Sequence, residues 1–333
     1  MLTCLGAIKF MDPKIAVVIP CYKARAHIPD VIKGIGDDVW RIYVVDDCCP
    51  EGTGDHVKAS ANDLRVRVIF NTENLGVGGA VLAGYQTAIA DGADVIVKID
   101  GDGQMNPGMI PRFTAPILKG QADYTKGNRF YDLANISRMP AVRLFGNAVL
   151  SFMAKLSTGY WNIFDPTNGY TAVHAKVAAF LPQDKISRRY FFETDMLFRL
   201  NTIRAVVVDI PMDAVYRDEK SHLKISKILG EFLAKHTNNL MKRIFYNYFL
   251  RDMTLASVEL VVGGGLFLFG LIFGGAHWIR SLSIHASTPL GTIMIAAMSL
   301  LVGIQLILAF LGFDILNVPK RPIHDDLPDS HHA

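Results

Sequence analysis

Cysteine is scarce in this chain and unevenly placed: the four residues Cys4, Cys21, Cys48 and Cys49 all fall within the first 49 positions. A disulfide scaffold is excluded, the adjacent pair cannot form a C-x-x-C knuckle, and a reduced compartment is expected. The histidines are scattered, which speaks against a zinc site. Basic and acidic residues nearly balance at 34 and 31, and a formal net charge of +3 gives no ground for a nucleic-acid partner. The first ten residues lack the apolar core and cleavage site of a secretory signal, and neither an internal repeat nor a low-complexity tract is found. Also missing are the G-x-G-x-x-G of a dinucleotide site and the Gly-Lys-Ser/Thr of a P-loop.

Apolar residues, by contrast, are abundant: they make up 50% of the 333 positions, and the mean hydropathy is +0.25. That is too apolar for an ordinary soluble enzyme, while 20% charged residues are too many for a chain made mostly of membrane helices. A soluble body joined to a membrane part is expected. Two uncharged runs, 260–279 and 289–313, are each long enough to cross a bilayer core, and 280–288 is read as the short turn between them. The segment before the first run carries Lys220, Lys224, Lys227, Lys235, Lys242, Arg243 and Arg251, and Lys320 and Arg321 follow the second, whereas the turn has only Arg280. This bias places both flanks in the cytoplasm and the hairpin turn outside.

Residues 225–251 mix apolar and basic side chains at helical spacing, as helices lying on a lipid bilayer do. Phe245, Tyr246, Tyr248 and Phe249 read as an aromatic interface belt, the alternative being core residues of the soluble domain. Gly270 and Gly274 form a small-xxx-small pair that suggests a homo-oligomer assembled through the first span.

The soluble part alternates β-branched runs at 15–19, 42–45, 66–70 and 95–99 with amphipathic stretches. Such alternation predicts an α/β fold with a mostly parallel sheet, whose ligands bind at the carboxyl ends of the strands. In VIVKIDGDGQ (95–104) an apolar strand delivers Asp100 and Asp102, two residues apart on one side of extended chain, with Gln104 as a further oxygen ligand. A hard cation, Mg²⁺ or Mn²⁺, bridging diphosphate oxygens suits this set; a turn with capping carboxylates is the plainer reading. Asp46 and Asp47 end the second strand, either as a turn or as acceptors for a nucleobase or ribose. The glycine-rich 74–80 opens a long helical pattern and predicts close helix packing beneath a ligand.

IAVVIPCYK, IYVVDDCCPEGTGD, NLGVGGAVLAGY, VIVKIDGDGQMNP, GNR (127–129) and DPTNGYTA (165–172) occur in an order that resembles family 2 glycosyltransferases of the GT-A fold. Over 14–230 the chain is most similar to the branch that includes dolichol-phosphate mannose synthases and bacterial polyprenyl-phosphate glycosyltransferases, whose bacterial members share a two-span anchor. The resemblance implies inverting transfer of a sugar from a nucleotide-diphosphate donor, a GDP- or UDP-sugar, to a polyprenyl phosphate, with the catalytic domain at the cytoplasmic side of a bacterial inner (plasma) membrane. It implies that Pro20, Tyr22, Val44 and Asp46 contact the nucleotide, that Asp100, Gly101, Asp102 and Gln104 handle metal and diphosphate, and that Arg129 faces a phosphate. Glu193 and Asp195 would face the acceptor, with ion pairing to Arg188, Arg189 or Arg199 as the alternative. Two departures stand out. Ala24 replaces a frequent acidic residue, and the family's Arg-x-x-Gly-x-Ser-Lys loop is VYRDEKSHLK here, so Arg217, Ser221 and Lys224 match only with a shift.

The expected organisation is a tail over 1–13, a GT-A domain over 14–224, interfacial helices over 225–252, spans at about 253–279 and 289–313, and a cytoplasmic tail over 314–333. Transfer to another lipid or glycan hydroxyl, and an inactive scaffold that binds nucleotide sugar, are the competing readings. Processive synthases of the superfamily usually carry Q-x-x-R-W, which is absent.

Overall fold

The computed structural model describes residues 12–131, 141–213 and 225–328. Four parallel strands, β1 (Ile15–Cys21), β2 (Arg41–Asp46), β3 (Val66–Phe70) and β4 (Val95–Lys98), form one half of a seven-stranded sheet. The other half is β5 (Tyr124–Asn128), β6 (Thr171–His174) and β7 (Val207–Pro211), in the order β3-β2-β1-β4-β6-β5-β7. β6 runs antiparallel to both of its neighbours, and β7 is parallel to β5. The expected mostly parallel α/β architecture is thus present.

Successive residues of a strand point to opposite faces, and both faces of this sheet are covered. Ala16, Val18, Tyr43, Val45 and Ile96 pack on α3 (Gly76–Ala90) and α7 (Phe192–Thr202). Val17, Ile19, Ile42, Val44, Val95 and Val97 pack on α1 (Ile28–Lys33) and α4 (Ile110–Leu118). That two-sided burial is why β1, β2 and β4 read as apolar runs, whereas β3 at the sheet edge is only partly buried. Between them α2 covers Thr53–Ser60, α5 Ala141–Thr158 and α6 Ala175–Phe180. Gly78 fits the close-packing expectation, since a Cβ there would lie 2.6 Å from the Ser187 carbonyl oxygen and 2.7 Å from the Phe192 ring.

Beyond the sheet, α8 (Ile225–Phe245) and a π-helical turn (Tyr246–Arg251) lead into α9 (Leu255–Ile284) and α10 (Leu290–Leu316). The last two, of 30 and 27 residues, are long and apolar enough to cross a membrane, and most of their apolar surface faces outward. They are the expected candidate hairpin, with two corrections. Helix α9 runs on through Arg280 to Ile284, so the expected turn at 280–288 is shortened; a charge count marks where apolar sequence stops, not where helical hydrogen bonding stops. The glycine pair faces its own hairpin: a Cβ on Gly270 would sit 2.8 Å from Leu300 Cγ, and one on Gly274 3.1 Å from Ala296 Cβ. The pair therefore explains packing within one chain and carries no argument for association between copies.

Two ties bind the hairpin to the sheet domain. The first centres on Asp314, near the end of α10, which accepts from Arg243 Nη1 (2.5 Å) and Nη2 (3.0 Å), Tyr248 OH (2.6 Å) and Trp161 Nε1 (2.8 Å). Arg243 also donates to the Leu156 carbonyl, and the pair is only 2% and 4% exposed. Arg243 thus has a packing role beyond that of a flanking positive charge, and Tyr248 is buried while Phe245 and Tyr246 remain exposed. The second tie is the segment after α10. Val318, Ile323 and Leu327 pack against the sheet core, and Asp123 accepts from the backbone N–H groups of Ile323 and His324 and faces His324 Nδ1 at 2.7 Å. The His324 ring stacks on His174 with centroids 4.4 Å apart. Residues 317–328, expected as a tail, form part of the domain surface.

Candidate active site

The carboxyl ends of β1, β2 and β4 open into a cavity of about 620 Å³, the crevice where open α/β sheets bind ligands. Pro20, Tyr22 and Ala24 from the β1 loop, Asp47 from the β2 end, and Asp100, Gly101 and Asp102 from the β4 end line it. The start of α3 contributes Gly76 and Val77. Tyr22, on the cavity wall, is half exposed.

Two expected nucleotide contacts lie elsewhere. Val44 is fully buried in the α1/α4 face of the core, because its register on β2 points it into the sheet. Asp46 is also buried, and both its oxygens are occupied: Oδ1 accepts from Cys49 N at 2.7 Å and Oδ2 from Gly54 N at 2.5 Å. Asp47 reaches the cavity instead. Its carboxylate accepts from Asn71 Nδ2 (2.8 Å) and from the Leu75 and Gly76 amides (2.9 and 2.8 Å), so it anchors the start of α3 with a charge suited to a helix N-terminus.

The β4 loop bends so that Gln104 N donates to Asp102 Oδ1 at 2.9 Å; the Gln104 side chain is not on the cavity wall. Asp100 Oδ1 is buried without an aligned hydrogen bond and lies 2.8 Å from the ammonium of Lys98, itself only 1% exposed. Lys98 also contacts Glu193 Oε1 at 3.3 Å. Two carboxylates on a cavity wall suit Mg²⁺ or Mn²⁺, which is usually held by one or two carboxylates together with substrate phosphates. Among the described residues, no three His, Cys, Asp or Glu side chains form a ready-made protein cage.

Arg129 is gripped by Asp165, with Nε at 2.8 Å from Oδ2 and Nη2 at 3.1 Å from Oδ1. Asp165 is 1% exposed and Arg129 34%, so the DPTNG motif orients the guanidinium, which does not line the cavity. Beneath it, Lys126 donates to the Asn168 carbonyl, and burial, against the pull of Glu193 and Asp165, pushes its pKa down to about 8. Burial likewise pushes Asp209 up to about 6.

Glu193 and Asp195 do not act as a pair. Glu193 turns to Lys98, whereas Asp195 is buried, accepting from Ser187 N (2.8 Å) and Asn239 Nδ2 (3.0 Å). Asp195 therefore links α7 to α8 and does not line the cavity, and its partners are an amide and an asparagine in place of the arginines of the alternative reading. Arg217, Ser221 and Lys224 lie outside the described residues. Lys23, His27 and Tyr190 also line the cavity, as does Arg189, which the sequence suggested only as an ion-pair partner. The neighbouring Arg188 and Arg189, beside an aromatic in a loop, are a signal that could have found them. Near the hairpin, α5 exposes Leu144, Phe145, Val149 and Phe152, an apolar set that no adjacent span advertises in the sequence.

Residues 16–180 match the model of the family described as "Glycosyl transferase family 2". An undecaprenyl-phosphate mannosyltransferase of Micrococcus luteus is 30% identical over 67% of this chain and 93% of its own length. A UDP-N-acetylglucosamine–dolichyl-phosphate N-acetylglucosaminyltransferase of Methanococcus voltae is 26% identical over 62% of this chain and 88% of its own. Among solved structures, the glucosyl-3-phosphoglycerate synthase of Mycobacterium tuberculosis in complex with UDP has a TM-score of 0.51 and 21% identity, covering 69% of this chain and 80% of that one. Its complex with Mg²⁺ and UDP gives a TM-score of 0.50 and 20% identity, covering 69% and 79%.

Proposed function

Because this chain belongs to glycosyl transferase family 2, we propose that it transfers a sugar, with inversion, from a GDP- or UDP-sugar to a polyprenyl phosphate at the cytoplasmic leaflet of a bacterial plasma membrane. The observation that carries this reading is the union of an Asp100/Asp102 cavity with an apolar hairpin, held together by the buried Arg243–Asp314 pair. A polyprenyl acceptor cannot leave the bilayer, so its transferase must keep its cavity close to the headgroups.

In the reaction an acceptor phosphate oxygen bonds to the anomeric carbon as the bond from that carbon to the donor diphosphate breaks, and the nucleoside diphosphate departs. A phosphate monoester has a second pKa near 6 and is already largely ionised at neutral pH. No strong general base is required, which agrees with the commitment of Asp195 to Ser187 and Asn239. Charge management is the chain's main task. Asp100 and Asp102 would hold the divalent ion, which when bound supplies compensation for the diphosphate's charge. Lys23 and Arg189 on the cavity wall add fixed positive charge, and Tyr22 and Pro20 offer apolar faces to a base. Arg129, held in a fork by Asp165, is pre-oriented for a phosphate oxygen, and Lys126 braces the same DPTNG segment through the Asn168 carbonyl.

The decisive experiment is a panel of nucleotide sugars assayed with the detergent-solubilised protein, offering undecaprenyl phosphate and free undecaprenol side by side. A lipid-linked sugar from the phosphate alone is expected. Equal or better glycosylation of the alcohol would replace this reading with an ordinary hydroxyl acceptor.

A further inference from the structure

A lysine inside a sheet is expensive to bury unless its charge is used, and an apolar residue at the same position would fill the space without that desolvation. Lys98 is such a residue. It ends β4, where its neighbours Val95, Ile96 and Val97 are fully buried core residues, and its ammonium sits between Asp100 Oδ1 at 2.8 Å and Glu193 Oε1 at 3.3 Å. Glu193 belongs to α7, 95 residues further along the chain, and its side chain is 12% exposed. The opposite wall is Gly169 of the DPTNG motif: a Cβ there would fall 2.5 Å from Lys98 Nζ and 2.7 Å from Asp100 Oδ2. Backbone approaches the pair as closely as it can, so the contact is built into the fold from three separate segments.

We propose that Lys98 is a positioning residue for the cation site: it holds Glu193 back and fixes Asp100, so that Asp100 and Asp102 alone are offered to a divalent ion. This rests on the metal-assisted transfer proposed above. The physical consequence concerns how many carboxylates the ion meets. Asp100 and Glu193 meet at one ammonium and Asp102 follows Asp100 by two residues, yet among the described residues no three such side chains stand as a ready-made cage; affinity for a hard cation rises with the number of charged oxygen ligands. An ion held by all three would be bound tightly by the protein and would have fewer positions left for a diphosphate. Lys98 neutralises the third carboxylate and keeps the site dependent on its substrate.

Mn²⁺ binding to the full chain in detergent, read by the loss of the free-ion electron paramagnetic resonance signal, tests this with and without UDP. Lys98→Met removes the cation at similar side-chain volume and should tighten Mn²⁺ binding without UDP by about ten-fold, the scale set by one unit charge at contact distance in a partly solvated site. The same variant should show weaker enhancement of Mn²⁺ binding by UDP than the wild type. Glu193→Gln should loosen Mn²⁺ several-fold in the native background and by a larger factor in the Lys98→Met background, where Glu193 has become a ligand. A purely structural role for Lys98 predicts lost folding or unchanged affinity, never tighter binding. Unchanged or weaker binding by folded Lys98→Met overturns the proposal; if that variant does not fold, Glu193→Gln with native affinity overturns it. A wild type that takes up no Mn²⁺ in either condition overturns the metal-assisted reading itself, whereas wild-type uptake indifferent to both variants removes only the role of Lys98.

Discussion

Asp100 and Asp102 differ in what already holds them. Asp100 is pinned by a buried ammonium, while Asp102 accepts from the Gln104 amide in its own turn and lines the cavity. Asp102→Ala should therefore leave the fold intact and lower donor turnover at least ~100-fold, the scale for loss of a preorganised electrostatic group; full turnover by the folded variant in the presence of chelator would remove the cation from the chemistry. The sequence makes these two carboxylates legible because an apolar strand precedes them and their spacing puts them on one side. The same habit of reading by proximity fails for Glu193 and Asp195. Residues two apart on a helix do not share a face, so one reaches Lys98 and the other reaches Asn239. Arg189 and Lys23 were hidden for a different reason: loops distant in sequence bring them to the cavity, and no periodicity encodes a loop's destination.

At the scale of elements, β1, β2 and β4 were readable because two-sided burial writes a strand as an apolar run, and the partly exposed edge strand β3 by its β-branched residues. β5, β6 and β7 were not, since YTKGN, TAVH and VVDIP are short and carry lysine, histidine, aspartate or glycine. Their polar residues are held inside the fold: Lys126 and Asn128 are buried, donating to the Asn168 carbonyl and to Asp209. The junction between α8 and α10 makes a sharper prediction. Asp314→Ala would leave the Arg243 guanidinium buried without its carboxylate, a loss of about 3–5 kcal/mol, seen as a lower thermal midpoint in detergent. Replacing both partners by Met and Leu should recover much of it, because no orphan charge then remains.

Two histidines at such junctions give the pH dependence. Burial pushes His174, stacked beneath His324, and His236, which shares a hydrogen bond with Ser157, each down to about 4. In the unfolded chain both titrate at the ordinary value of 6.5. Between these two values the unfolded state binds more protons, so stability is lost as the pH falls through that window. Thermal midpoints measured from pH 7 to pH 4.5 should decline, and His174→Gln should flatten part of the decline; an unaltered slope would mean that His174 takes up its proton while folded.

For the whole molecule, the basic flanks and the nearly uncharged turn predict one orientation in the membrane. Ser283→Cys in a cysteine-free background should react with an impermeant thiol reagent from outside only, and reaction confined to the cytoplasmic side would invert the arrangement. The ties at Asp314 and Asp123 also make the sheet domain and the hairpin one mechanical unit. Deleting residues from 318 onward strips Val318, Ile323 and Leu327 from the core and leaves Asp123 without its partners on the returning segment. Limited proteolysis should then cut the sheet domain faster than in the full chain.

That returning segment also sets a timetable for biosynthesis. Chains emerge from the ribosome in order, and domains ordinarily fold as soon as they are out. Here the residues that cover Asp123 are translated only after both apolar helices, so the sheet domain keeps an uncovered patch until the hairpin has been made. Sealing of the Asp123 patch is therefore the last step in building the sheet domain, reached only once both apolar helices have emerged.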